Sequence, residues 1–232
     1  MSKQIYVLIS GKRLNGKDTL AEALTNAMRW STATPEDPAI HHLADAIRQE
    51  LMDTYPDEIP SIKSIQDNSS PIKKKWRPAM ISLGQQRRAE DVDYWCIKLQ
   101  DVAEAGGADI IIVPDCRFLN EIEYFKKLDD ILVYSIRIET VLQERIRRGY
   151  TFTPGVDDDV SELSLDLGYK DMPWDALIVD TGFGVQLYKE PHKKDITATA
   201  RYNKSELFKR TLEDVLPEVE TRRAANGQDN NS

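Results

Sequence analysis

The apolar residues of this 232-residue chain gather into short unbroken runs, and between the runs they recur at helical spacing. IYVLIS (5–10), DIIIVPD (109–115), ILVYSIRIE (131–139) and DALIVD (175–180) are β-branched and apolar nearly throughout, the pattern of strands covered on both faces. AIHHLA (39–44) is a weaker fifth. Residues 17–30 place Leu20, Leu24, Ala27 and Met28 on one helical face, and 45–55 group Ile47, Leu51 and Met52. The stretch 72–105 is long enough for two helices, and Ile122, Phe125 and Leu128 mark a shorter one.

Strands alternating with helices predict an α/β fold, a three-layer α/β/α architecture around a central parallel sheet. Ligands of such sheets bind beyond the carboxyl ends of the strands. The informative loops are therefore those after Ser10, Val113 and Ile138. One domain is expected over 1–221. Within it, 56–71 reads as a loop leading into a helix and 189–203 as a polar surface excursion. A terminal helix is expected over 204–216, with Leu207, Leu212, Val215 and Leu216 as its apolar positions, followed by a disordered tail over 222–232.

Charge narrows the function classes. A net charge of −8 and a pI near 5.1 argue against a nucleic-acid polymer as partner, because backbone binding needs a basic face. They leave room for a small anion in a local basic cleft. Cys96 and Cys116 stand in neither disulfide nor zinc spacing and read as packing residues in a reducing compartment. His41, His42 and His192 form no recognisable metal set. No run of about 18 apolar residues and no secretion signal is present, so a cytoplasmic protein without membrane attachment, acting as a monomer, is expected.

The candidate chemistry starts at GKRLNGKD (11–18), set between the first strand and the first helix. Gly11 and Gly16 have the spacing of a phosphate-binding loop, in which glycines let successive N–H groups face one phosphate. Lys17 then reaches the β- and γ-phosphates, and the helix aims its positive end at them. The expected ATP contacts of this loop are Gly11, Gly16, Lys17, Asp18 and the adjoining Thr19. Asp18 stands where such loops carry Ser or Thr. A carboxylate there is a harder, more anionic ligand for Mg²⁺. It can equally cap the first helical turn, a contribution of about 0.3–1 kcal/mol.

Arginines recur at the other strand-end positions. Arg87 and Arg88 close a helical stretch, Arg117 follows the most apolar strand, and Arg145 and Arg148 lie three apart on one helical face. Arg forks bind phosphate bidentately and stay charged at any working pH. Arg88 and Arg117 are expected to hold an acceptor phosphate, and Arg145 and Arg148 to close on the donor; Arg87 and Arg147 read as solvated. Asp115, at the end of its strand, is a second candidate for Mg²⁺ or an orienting partner for Arg117. FTPGVDDDVSE (152–162), with Pro, Gly and three consecutive acids, reads as a mobile lid, and the lid region as a whole as about 145–165.

At GKR..GKD, LGQQRRAEDVDYW and, most specifically, RGY.FTPGVDD..SE, the sequence resembles the phosphomevalonate kinase family of the animal type, over roughly residues 5–185. The resemblance implies a P-loop, nucleoside-monophosphate-kinase-like fold with an Arg-bearing lid, ATP as co-substrate and Mg²⁺. It carries functional roles onto Lys12, Arg13, Lys17, Asp18, Arg88, Arg117, Arg145 and Arg148. Lys17, Asp18, Arg117 and Arg148 are then the catalytic set, Lys12, Arg13, Arg145 and Arg148 join the loop residues in binding ATP, and Arg88, Arg117 and Phe118 bind the acceptor. Two positions depart from the family: Leu14 replaces a third basic loop residue, and Phe118 replaces a second Arg after the strand. GKDTLAEAL, LAD, IIVPDCRF.NE and D.DYW..KL also resemble deoxynucleoside monophosphate kinases, where Phe118 would stack on a base. Both families pass the γ-phosphoryl group of ATP to a small phosphomonoester. A nucleotide-binding switch would instead need a water-positioning residue and a partner surface, and the sequence offers neither.

Overall fold

The computed structural model describes residues 4–29, 38–67, 69–167, 174–189 and 200–202. The elements follow in chain order: β1 (Gln4–Ser10), α1 (Lys17–Arg29), β2 (Ala39–Ile40), α2 (Leu43–Thr54), α3 (Ile62–Gln66), α4 (Pro71–Glu90) and α5 (Tyr94–Gly106). After these come β3 (Ile110–Cys116), α6 (Leu119–Lys126), β4 (Ile131–Thr140), α7 (Leu142–Arg147), α8 (Val160–Leu167), β5 (Ala176–Asp180), β6 (Val185–Lys189) and β7 (Ala200–Tyr202). The chain divides into two compact units, Met1–Ile40 with Gly107–Ser232, and His41–Gly106.

The first unit carries the sheet, in the order β2-β3-β1-β4-β5-β6-β7. β2 through β5 run parallel, as expected. The sheet is not wholly parallel, however, because β6 and β7 add to it antiparallel. The reason is local: only four residues separate Asp180 from Val185, so β5 turns directly back on itself with no crossover helix. β7 ends the stretch expected as a surface excursion, of which 190–199 lie outside the described residues, as do the expected terminal helix and tail.

Alternate residues of the central strands feed opposite faces. On one face Ile5, Val7, Ile9, Ile112 and Ile136 bury against Leu20, Leu24 and Met28 of α1. The Ala27 side chain lies outside the described set. On the other face Tyr6 stacks on Phe125 of α6, ring centroids 4.9 Å apart. Helices thus cover both faces of the sheet, the expected α/β/α arrangement. Its five parallel strands put the ends of β1, β3 and β4 side by side.

The second unit is helical. The long stretch splits into α4 and α5 where Asp91 accepts the Asp93 N–H at 3.0 Å, an Asx turn that interrupts the helical ladder. The loop expected over 56–71 contains the short α3, opened by Ser61, which accepts from Ser64 N at 3.2 Å. Ile59, Ile65, Leu51 and Trp76 form its core, and buried Trp95 donates to Gly84 O at 3.1 Å. Both cysteines are buried, and neither forms a disulfide. Among the described residues no helix is long and apolar enough to cross a membrane.

Candidate active site

The phosphate loop joins β1 to α1, and the neighbouring strand dictates its shape. A Cβ at Gly11 would sit 2.7 Å from the carbonyl oxygen of Ile138, so the chain passes this close to β4 only as glycine. Buried Asn15 donates from Nδ2 to that same carbonyl at 2.8 Å, and Thr140 Oγ1 donates to Asn15 O at 3.1 Å. Gly16 has φ +94°, natural for glycine. Leu14 has φ 63°, uncommon for a residue with a side chain, and its carbonyl accepts from Arg148 Nη1 at 3.1 Å.

Lys17 begins α1 and is buried, donating to Lys12 O at 2.9 Å. Burial, then the nearby positive charge of Arg117, pushes its ammonium from the ordinary 10.5 down to about 7. Glu162, Asp18 and Asp115 oppose that shift. Four charged groups, Arg117, Glu162, Asp18 and Asp115, therefore act on one ammonium. Asp18 and Thr19 are exposed in the first turn of the helix.

Asp115 and Arg117 owe their placement to an irregularity in β3. Leu8 pairs with Val113 but Ser10 pairs with Cys116, so β3 has one residue more than β1 across this step. Pro114 and Asp115 fill the bulge, where a residue without an N–H is tolerated and a side chain can be re-aimed. Immediately beyond it, the carboxylate of Glu121 accepts the N–H of Arg117 at 2.6 Å and that of Phe118 at 3.1 Å. Glu121 is 1% exposed, so this loop is tied to α6 by a buried acid. Sequence reading assigned Glu121 no role; its place three residues into a helix, where an acid can receive the leading N–H groups, was the available signal. Glu121→Ala should leave two N–H groups without that acceptor and lower stability by about 1–3 kcal/mol. It should also raise the acceptor's KM while the KM for ATP holds; denaturant melts and two-substrate kinetics check both.

The segment expected as a lid lies against the phosphate loop, chiefly at Arg13. Arg13 reaches Asp157 from Nε at 3.0 Å and from Nη2 at 2.6 Å, and Thr151 O at 2.8 Å. Burial pushes the Asp157 carboxyl up, yet hydrogen bonds from Arg13 and the Thr153 N–H hold it below the usual range. Glu162, at the start of α8, accepts the Arg13 N–H at 3.0 Å and pairs with Arg117 Nη1. That carboxylate was visible in the lid motif, but no spacing could show that it joins the phosphate loop to the loop after β3.

Arg145, buried, donates from Nε to Arg13 O at 3.0 Å and lies 4.0 Å from the Tyr150 ring centre. Arg148 lies along the loop, its Nη1 within 3.4 Å of where a Cβ on Gly16 would stand. Arg147 is largely exposed and pairs with Glu144, in keeping with the solvated reading. Arg88 belongs to the second unit, where Nη1 donates to Gly84 O at 3.2 Å. Arg87, expected to be solvated, is half-buried there: it pairs with Glu50 and Glu90, and the Glu50 carboxylate also takes the Tyr94 hydroxyl at 2.5 Å. Except for Arg88, the residues expected at the site all fall in the first unit.

Residues 9–130 match the phosphomevalonate kinase family. A phosphomevalonate kinase from Drosophila melanogaster is 30% identical over 162 residues, covering 69% of this chain and 80% of the relative. A crystal structure of a provisionally assigned kinase from Chloroflexus aurantiacus aligns at 16% identity with a TM-score of 0.37, over 71% of this chain and 76% of that one. The family match runs through the phosphate loop, Asp115, Arg117 and Phe118, and the Drosophila relative is similar over most of its length: this chain belongs to the phosphomevalonate kinase family.

Proposed function

We propose that this protein transfers the γ-phosphoryl group of ATP to phosphomevalonate, giving diphosphomevalonate and ADP. The observation that carries the reading is a buried phosphate-loop Lys17 that feels the charge of Arg117, with family membership behind it. Donor and acceptor phosphates need cationic partners close together, and Lys17 and Arg117 supply one for each.

In this mechanism a terminal oxygen of the acceptor phosphate, already ionised at neutral pH, attacks the γ-phosphorus. The bond to the β–γ bridging oxygen breaks, and ADP leaves with that oxygen. No general base is required, so the protein's contribution is positioning and charge neutralisation. Lys17 and the loop N–H groups hold the β- and γ-phosphates, with Lys12, Arg13 and Thr19 completing the nucleotide contacts. Arg117 receives the acceptor phosphate. Arg148, supported by Arg145, meets the charge on the transferring group.

Asp18 and Asp115 are the carboxylates that would hold Mg²⁺. Both act on Lys17, so they share its neighbourhood. Mg²⁺ takes one or two carboxylates and completes its shell with phosphate and water, and two acids fit that habit. When bound, the ion neutralises charge on the β- and γ-phosphates. The same reading takes the protein as a cytoplasmic monomer that works on a small phosphorylated substrate.

Phe118 separates the two acceptor classes. With phosphomevalonate there is no base to stack, and Phe118→Arg should be tolerated or tighten the acceptor by adding charge beside Arg117. With a deoxynucleoside monophosphate, the same change removes stacking worth about 1–3 kcal/mol, and the acceptor's KM should rise about tenfold. Following ADP release with both acceptors, for the native protein and the variant, tests this. Activity on a deoxynucleotide alone, lost in the variant, would overturn the phosphomevalonate reading.

A further inference from the structure

Arg148 enters the mechanism above as the group that meets charge on the transferring phosphoryl; what holds it there is a separate matter. β5 ends at Asp180, which pairs in register with Thr140, and Val141 N donates to Asp180 O at 3.0 Å. The end of β5 is thereby fixed beside the start of α7. Asp180 is 5% exposed. One of its carboxylate oxygens takes Arg148 Nη2; the other takes the Gly182 N–H at 2.9 Å, which fixes the carboxylate's own direction. Glu144, one helical turn before Arg148, accepts its Nε at 3.2 Å. Nη1 is left to face the phosphate loop at Leu14 O.

A second arginine completes the arrangement. Arg147 pairs with Glu144 and donates to Gly182 O at 3.3 Å. The chain thus forms a ring, Asp180–Arg148–Glu144–Arg147–Gly182, in which every contact is to a charged or backbone group. Two of the three guanidinium nitrogens of Arg148 are committed to carboxylates on the strand and helix scaffold. A flexible side chain is held with only one edge turned toward the loop. That geometry suits an arginine supplied from within the same chain, because direction is set before substrate arrives and less freedom is lost at the transition state.

From this ring we infer that Asp180, with Glu144, is the positioning residue that aims Arg148 at the transferring phosphate. The inference rests on the catalytic reading of Arg148, and the two can fail separately. The test is a cycle of four full-length proteins: native, Arg148→Ala, Asp180→Asn and the double variant. Each is assayed for kcat and for the KM of ATP, and added guanidinium is tried on both proteins lacking Arg148. Asp180→Asn is expected to lower kcat about tenfold or more with the KM for ATP within about threefold. In the Arg148→Ala background the same change should add less than about twofold, because there is nothing left to aim. Guanidinium should restore part of the activity of Arg148→Ala and none to the double variant.

Asp180→Asn with native kcat, or a loss that multiplies unchanged onto Arg148→Ala, overturns the positioning role and leaves Arg148 itself untouched. An active Arg148→Ala overturns the catalytic reading of Arg148 and the positioning role with it. Should Asp180→Asn not fold, Glu144→Gln takes its place in the cycle with the same outcomes.

Discussion

Lys17→Ala is expected to lose at least about a hundredfold in turnover, since removing a contact to developing charge typically amounts to ~2.7 kcal/mol or more. It is also expected to melt no lower than the native protein. The sign follows from the shift of Lys17. Its folded value, about 7, lies below the ordinary 10.5, so folding disfavours the charged form. That unfavourable contribution is complete below pH 7 and fades as pH rises toward 10.5, where the unfolded chain also gives up the proton. Alanine removes it at neutral pH, at the loss of one hydrogen bond to Lys12 O. Thermal melts at pH 7 and single-turnover assays check both halves. Retention of more than about a tenth of native activity would remove Lys17 from the mechanism.

Arg148→Ala should reduce turnover by roughly 10³, as loss of an arginine finger does, with a smaller effect on nucleotide affinity. Here the stability change has the opposite sign. Asp180 and Glu144 both lie buried around the guanidinium and lose that partner together. Leaving buried charged acceptors short of a donor lowers stability by about 1–3 kcal/mol. The two variants thus share a catalytic defect and differ in melting behaviour, which excludes general unfolding as the common cause. Weakened ATP binding with unchanged turnover would show that Arg148 contributes only to the ground state.

Much of the fold could be read directly because it depends on patterns within one segment. Strands buried on both faces must be apolar at every position, and β1, β3, β4 and β5 appear within a residue or so of their expected bounds. α1 and the two-helix division of 72–105 follow from the same logic, and the phosphate loop announces itself by its glycines. The antiparallel extension by β6 and β7 was not foreseen. The five-residue β6, VQLYK, interleaves polar with apolar residues and carries no continuous apolar run to mark it, and β7, at the sheet edge, is only three residues long.

The site divides along the same line. The sequence by itself determined which residues could carry charge to a phosphate: Lys17 in its loop, Asp18 beside it, and Arg117, Arg145 and Arg148 at strand ends. These are local facts of residue type and spacing. Only the tertiary structure decided how they are held. Glu121 fastens Arg117 through backbone N–H groups, Glu162 spans 149 residues to the amide of Arg13, and Asp180 at the end of β5 takes Arg148 from 32 residues before it. Each of these carboxylates lies on a different element from the loop or side chain it secures, or bonds a backbone group that no residue type reveals. Glu162 and Asp180 reach their partners only through the fold, while Glu121 acts across the few residues before it. An acid in an acidic chain is unremarkable until the fold buries it, and burial is what obliges it to find a cation or an N–H group.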